Sequence, residues 1–243
     1  MTQNYKIILC YDGTDYHGWQ KQPNKKTIQG SLEKALTQIT KKDIPILGAG
    51  RTDAGVHALA QVAHFRTHFT LREEEFLRAL NSLLPKDIRI ISLKKTDRNF
   101  HARKMAVSKI YQYRIYNSAD ISPFILRYSL HWTSPLDVIK MKTAAKRFVR
   151  EADFTPFSSN RHHHPVRCVT HSEIKKKGTE IIYTVEANGF LRYMVRTMVG
   201  TLLEIGRGKW PPEIIDDIFK EKRRILASPT APPEGLCLIK VNY

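Results

Sequence analysis

The stretch SKIYQYRIY at residues 108–116 shows the clearest two-residue alternation of side chains in this chain. In an extended strand Tyr111, Tyr113 and Ile115 fall on one face, and the residues between them fall on the other. Alternation of this kind is typical of a strand that buries one face in an antiparallel sheet. We therefore expect residues 108–116 to form such a strand.

Periodic segments flank this strand on both sides. Thr27 is the expected N-cap of the first helix. Strands and helices that interleave without a strict β-α-β repeat favour an α+β fold with mainly antiparallel sheets. The pattern predicts further strands near residues 5–11, 61–65, 88–93, 170–174, 181–186 and 236–241, and helices near 27–40, 71–84, 135–149 and from about 190.

The length of 243 residues allows one large domain or two of ordinary size, and we expect two. A boundary near residue 105 fits the strand at 108–116. It predicts an N-terminal α+β domain over residues 1–105 and a C-terminal α+β domain over residues 106–243.

The chain is strongly basic, with 40 Lys and Arg against 23 Asp and Glu and a net charge of +17. The basic residues are spread along the sequence, which favours a broad positive face that binds a polyanion such as a phosphate backbone. A membrane partner is the competing explanation, but no apolar run approaches the roughly 18 residues of a spanning helix. We expect no membrane partner. Three scattered cysteines are too few for a disulfide framework, which favours a cytoplasmic location.

The run GRTDAGVH at residues 50–57 places Asp53 between Arg51 and small, turn-forming residues. Gly50 and Gly55 allow a close approach of the backbone to a ligand, so Asp53 is a candidate reactive carboxylate. In the alternative interpretation, Asp53 caps its own turn and Arg51 forms a surface ion pair. The run itself leaves both interpretations open.

Arg192 and Arg196 are four residues apart in the helix expected from about residue 190, so they would share a face. Two guanidinium groups in apolar surroundings require an anion, either Asp53 or a phosphate. In the alternative interpretation, which we favour for Arg192, the side chain extends to solvent or pairs with a nearby acid. Arg196 lies deeper in the apolar run, so we expect it to need a buried partner.

Six motifs in consistent order resemble those of the TruA family of tRNA pseudouridine synthases. The resemblance extends from Tyr11 to the C-terminus. The motifs are Tyr11-Asp12-Gly13 with Gly18-Trp19-Gln20, Gly50-Arg51-Thr52-Asp53-Ala54-Gly55-Val56-His57, Phe100-His101-Ala102-Arg103, Tyr111-Gln112-Tyr113, Phe190-Leu191-Arg192 with Met194-Val195-Arg196, and Ala231-Pro232 with Glu234-Gly235-Leu236.

The resemblance implies an enzyme that isomerises uridine to pseudouridine in the tRNA anticodon stem-loop, at positions 38–40, without a cofactor or metal. It makes Asp53 the catalytic residue, which either attacks C1′ of the ribose or acts as a base at C2′. Tyr111 would stack on the uracil, although a strand tyrosine can also be a core residue, which is the expected role of Tyr113 and Tyr116. Arg196 would pair with Asp53 and keep it ionised.

The resemblance also implies how the RNA is held. The target nucleotide is expected to be flipped out of the stem. Arg51 and Arg103 would bind phosphates near it, or else are ordinary charges at the rim, and His57 and Arg192 are further candidates for substrate binding. The implied architecture is two RRM-like domains whose sheets meet at a basic active-site cleft, in a homodimer.

Two features of the sequence suggest other functions. Three consecutive histidines, His162 to His164, suggest a metal site, but without carboxylates or thiolates we expect an exposed loop that contacts RNA. His171-Ser172-Glu173 hints at a zinc-dependent nucleobase deaminase, but no Pro-Cys-x-x-Cys follows. A non-catalytic RNA-binding protein or chaperone is the remaining alternative, because the charge alone permits it.

Overall fold

The computed structural model describes residues 2–159, 163–222 and 228–243. The chain divides into two compact units, one of Met1–Val107 with Leu238–Tyr243 and one of Ser108–Cys237. The sequence patterns did not indicate that residues 238–243 belong with the N-terminal part. Both units are α+β with mostly antiparallel strands. Among the described residues no helix is long and apolar enough to cross a membrane.

The first unit contains a sheet with the strand order β4-β1-β3-β10, and β2 pairs with β3. β1 is antiparallel to both β3 and β4. The elements are β1 (Gln3–Tyr11), α1 (Ile28–Thr40), β2 (Leu47–Gly48), β3 (His57–Thr67), α2 (Glu73–Leu83), β4 (Ile88–Lys95) and, at the end of the chain, β10 (Leu236–Asn242).

Local sequence explains where the two helices of this unit begin. The hydroxyl of Thr27 accepts the N–H of Gly30 at 3.3 Å, so the predicted N-cap of α1 is confirmed. Three glutamates occupy the first turn of α2, where they complement the positive end of the helix dipole. Tyr5, Phe65 and Phe76 pack at ring centroid distances of 5.4 to 5.8 Å and form an aromatic centre of the core.

The second unit contains a sheet with the order β5-β9-β8-β7, all antiparallel, and β6 pairs with β5 in parallel. The strand predicted at residues 108–116 is confirmed, with Tyr111, Tyr113 and Ile115 on its buried face. The elements are β5 (Ser108–Asn117), α3 (Pro123–Leu126), β6 (Leu130–Trp132), α4 (Val138–Lys146), β7 (Arg150–Asp153), β8 (Val166–Lys177), β9 (Glu180–Ala187), α5 (Met194–Gly206) and α6 (Ile214–Glu221).

Two predicted helices differ from the observed ones. The helix expected over residues 135–149 is shorter, because Asp137 caps it by accepting the N–H of Lys140 at 3.0 Å. The helix expected from about residue 190 begins only at Met194, because Tyr193 has φ of 63° and interrupts the helical backbone. Arg192 therefore lies before the helix, and the prediction that it shares a helix face with Arg196 is wrong.

The pH dependence of stability should carry a contribution from His64, of which 3% is exposed. Burial, with smaller contributions from His101 and Arg66, lowers the pKa of His64 from 6.5 to about 4. Between these values the unfolded chain binds a proton that the folded chain does not, so stability falls as the pH decreases through this window. We expect His64→Asn, which cannot become charged, to lose less thermal stability than the wild type between pH 7 and pH 4.5 in scanning calorimetry. Equal losses in the two proteins would contradict this assignment.

Candidate active site

The segment that follows β1 holds the loop of Asp53 by backbone hydrogen bonds. The N–H of Trp19 donates to the carbonyl of Thr52 at 3.0 Å, and the N–H of Gly55 donates to the carbonyl of Tyr16 at 3.3 Å. These two bonds lie on either side of Asp53, which is half-buried. The backbone that carries this carboxylate is therefore fixed on both sides.

Side chains from the adjacent strands hold the same loop. The hydroxyls of Tyr11 and Thr52 are 2.9 Å apart and form a buried hydrogen bond. Gln61 in β3 donates through Nε2 to the carbonyl of Gly50 at 3.1 Å. Since these groups belong to strands of the sheet, the loop is attached to the rigid part of the first unit.

Two glycines permit the close approach of these segments. A Cβ at Gly13 would lie 2.0 Å from the carbonyl oxygen of Val56. A Cβ at Gly18 would lie 2.5 Å from the carbonyl oxygen of Thr52, and Gly18 also has a φ of +82°. The close packing of Gly13 and Gly18 against the loop explains why the motifs Tyr11-Asp12-Gly13 and Gly18-Trp19-Gln20 occur together with the Asp53 motif. The sequence alone gives no physical reason for this association.

His57, predicted to bind substrate, is 6% exposed. Its Nδ1 accepts the N–H of Gly13 at 3.1 Å and lies 3.2 Å from Oδ1 of Asp12. His57 thus also helps to hold the segment that contacts the loop. Arg51, in contrast, is exposed.

In the second unit Tyr111 lies in β5 with 7% of its surface exposed. The ring packs edge-on against Phe190, with centroids 5.1 Å apart and an interplanar angle of 84°. Tyr113 is fully buried, and its hydroxyl donates to the carbonyl of Pro232 at 2.8 Å. The prediction of a core position is confirmed for Tyr113 and is wrong for Tyr116, which is only half-buried.

Arg196 lies near the start of α5 and is half-buried. Its Nε donates to the carbonyl of Ala231 at 2.7 Å, and its guanidinium lies over the ring of Tyr193 at 5.0 Å. The guanidinium of Arg192, which is exposed, lies over the same ring at 4.9 Å. Both arginines therefore contact the ring of Tyr193, and nothing in the sequence pattern indicated this residue.

The C-terminal motif positions residues of β5 and α5. Besides the bonds to Pro232 and Ala231, the N–H of Arg114 donates to the carbonyl of Gly235 at 2.9 Å. A Cβ at Gly235 would lie 2.6 Å from the ring of Tyr113, so only glycine fits there. In the sequence, Pro232, Pro233 and Gly235 lie close together, which indicates a tight turn. The sequence does not indicate which element this turn contacts.

The remaining predicted features lie on the surface. Arg103 is exposed in the segment after β4. His163 and His164 are exposed, and His162 lies outside the described residues. His171 and Glu173 form a partly exposed pair at 3.6 Å. Within the described ranges no group of three or more His, Cys, Asp or Glu side chains is placed to hold a metal ion.

Comparison with known proteins identifies the family. A family model described as tRNA pseudouridine synthase matches residues 7–103 and 144–243. A tRNA pseudouridine synthase A 2 of Clostridium perfringens is 44% identical over 99% of this chain and 100% of its own length. A tRNA pseudouridine synthase A of Limosilactobacillus reuteri is 43% identical over 98% of this chain and 96% of its own.

A third relative, the tRNA pseudouridine synthase A of Thermoanaerobacter sp. strain X514, is 43% identical over 99% of this chain and 100% of its own length. A solved Cbf5-Nop10-Gar1 complex matches with a TM-score of 0.35 and 11% identity, over 96% of this chain and 57% of that one, and no conclusion rests on this match. The chain belongs to the tRNA pseudouridine synthase family, and the resemblance to its TruA members is confirmed.

The close approach at Gly18 can be tested with Gly178 as a matched control. Both glycines have positive φ, but a Cβ at Gly178 would meet nothing within 4 Å. An alanine at either position bears the left-handed backbone penalty of about 1–2 kcal/mol. Only Gly18→Ala adds the clash with Thr52. We expect Gly18→Ala to accelerate hydrogen exchange of the Gly55 amide and Gly178→Ala to leave it unchanged, and unchanged exchange in both variants would be evidence against the contact.

Proposed function

We propose that this protein isomerises uridine to pseudouridine in the anticodon stem-loop of tRNA, at positions 38–40. The observation that carries this proposal is the full-length match to relatives that are named tRNA pseudouridine synthase A. The enzyme is then an isomerase, and its substrate is tRNA. The net charge of +17 suits a polyanionic substrate of this kind.

The reaction breaks the bond between C1′ and N1 and forms one between C1′ and C5. The uracil turns in the pocket between these steps, C5 loses its proton, and N1 gains one, so atoms and charge balance. A carboxylate can either attack C1′ or remove the proton from C2′, and both routes release a uracil anion whose charge is delocalised. One ionised carboxylate is therefore sufficient for the chemistry.

We assign that carboxylate to Asp53. Support comes from its position in a loop that is held on both sides, because a reacting group must be kept in a near-attack geometry. Tyr111 is proposed to stack on the uracil and to assist removal of the C5 proton. Arg196 is proposed, from the family resemblance, as the cation that keeps the carboxylate ionised.

The RNA-binding residues are proposed on charge and exposure. Arg51, Arg103 and Arg192 are exposed, as a phosphate contact requires. His57 is buried, and we propose that it supports substrate binding by accepting the N–H of Gly13 and so holding that segment. A cytoplasmic location and independence of cofactors and metals remain predictions from the sequence.

Replacement of the reactive carboxylate tests the catalytic assignment. We expect Asp53→Asn to lower kcat by at least about a thousandfold, because the amide neither attacks C1′ nor accepts the C2′ proton. Binding of tRNA should change little. The measurement is tritium release from C5-labelled uridine in an unmodified tRNA transcript, with sequencing-based mapping of the product.

The control is Asp43→Asn, a carboxylate on the surface of the same unit, which should retain wild-type activity. Retained activity in Asp53→Asn would contradict the catalytic assignment. If the wild-type protein binds tRNA and leaves every base unchanged, the non-catalytic alternative holds, and inosine as the product would indicate a deaminase.

We also propose that both units are RRM-like and that the protein is a homodimer, as the resemblance implies. Supporting the first point, β1 lies between β3 and β4 in a unit with two helices, α1 and α2. For the second, sedimentation equilibrium should give twice the chain mass of 28.1 kDa at micromolar concentration. A single-chain mass under these conditions would contradict the homodimer.

A further inference from the structure

Residues 97–105, which follow β4 in the first unit, are anchored by side chains from other strands. Asn4 in β1 donates through Nδ2 to the carbonyls of Asp97 and Phe100, at 2.9 and 3.0 Å. Arg66 in β3 donates to the carbonyl of Arg98 at 3.0 Å. Connecting segments commonly run over the surface with mobile backbones, whereas this one is tied to the sheet.

Two histidines accept three successive backbone N–H groups of this segment. Nδ1 of His64 accepts from Ala102 at 3.2 Å. Nδ1 of His101 accepts from Arg103 at 3.2 Å and from Lys104 at 3.3 Å. A ring nitrogen that accepts a hydrogen bond carries no proton, so these contacts use the unprotonated Nδ1 of each ring. Burial lowers the pKa of His64 to about 4, which keeps its Nδ1 available at neutral pH.

The peptide carbonyl of Ala102 is fixed as well. The hydroxyl of Tyr243, the last residue, donates to it at 2.8 Å. Nζ of Lys6 lies 4.2 Å from the centre of the Tyr243 ring and 5.0 Å from that of Phe100. With its N–H and C=O both bonded and its side chain fully buried, Ala102 leaves the following residue little freedom.

The residues that this arrangement presents are cations. Arg103 and Lys104 are both exposed. Neither side chain has a hydrogen bond or an ion pair with any residue in the described part of the chain. Because the backbone is already ordered and no internal ion pair has to be broken, binding of an anion by these cations costs side-chain conformational entropy but little backbone entropy.

We propose that His64 and His101 are positioning residues, which set the backbone of Arg103 and Lys104 for contact with a phosphate of the RNA. This inference rests on the proposed function, because it takes tRNA as the source of the phosphate. His64 belongs to none of the family motifs. His101 is part of the motif at residues 100–103, and its contacts with the N–H groups of Arg103 and Lys104 give a physical reason for its presence there.

Binding and turnover of a tRNA transcript test the inference. We expect His101→Ala to raise KM and the tRNA dissociation constant about tenfold with kcat unchanged. The slope of log Kd against log salt should decrease in magnitude by about one, as for the loss of one phosphate contact. His101→Asn keeps a side-chain acceptor at the same distance from the backbone and should restore wild-type values. His68→Ala, an exposed histidine of the same unit, is the matched control and should behave as the wild type.

A double-mutant cycle separates positioning from general destabilisation. If His101 acts through the cations, His101→Ala should add nothing to Arg103→Ala combined with Lys104→Ala. If His101→Ala does not fold, His101→Gln takes its place, because the extra methylene moves the acceptor out of the turn.

Additive losses, a fall in kcat without a change in KM, or an unchanged salt slope would overturn the inference. Failure of the proposed function is distinguishable from these outcomes. In that case the wild-type protein forms no pseudouridine, whereas the effects on tRNA affinity and salt slope are still measured.

Discussion

The hydrogen bonds from Trp19 to Thr52 and from Gly55 to Tyr16 are the constraint on which the candidate active site depends. A carboxylate in a glycine-flanked loop has no fixed position of its own. Here the residues on either side of it are hydrogen-bonded to the segment that follows strand β1. This arrangement restricts the backbone on either side of Asp53, as the proposed reaction at C1′ or C2′ of the ribose would require.

The first unit uses the same device twice. In both the Asp53 loop and the segment 97–105, groups that belong to or adjoin the sheet bind the backbone of a connecting segment, and that segment carries a charged side chain proposed to contact the RNA. Gly13 and Gly18 permit the first case by close packing, and His64 and His101 permit the second by accepting N–H groups. The proposed function of this unit therefore depends on residues that need not touch the substrate themselves.

Long periodic segments and short glycine-containing motifs were readable from the sequence. The strand at 108–116 and the cap at Thr27 followed from local patterns and are present in the structure. The start of α5 did not follow, because nothing in the sequence marks Tyr193 as a residue with positive φ. The short elements β2, β6, β7 and α3 carry too few residues to show a period.

The contacts that organise the site were harder to predict from the sequence than the site residues themselves. Asp53 lies in a recognisable sequence motif. The hydrogen bond between the hydroxyls of Tyr11 and Thr52, in contrast, joins residues far apart in sequence, and neither residue type predicts the other as its partner. The role of His64 depends on a backbone N–H that is 38 positions away. Such partners are brought together by strand pairing, which one sequence does not display.

The most direct measurement of the central claim is a crystal structure of the protein with an anticodon stem-loop RNA. We predict that a nucleotide from positions 38–40 is flipped out of the stem and that a carboxylate oxygen of Asp53 lies within about 3.5 Å of its C1′ or C2′. A bound RNA whose bases all remain stacked, or an Asp53 side chain turned away from the sugar, would contradict it.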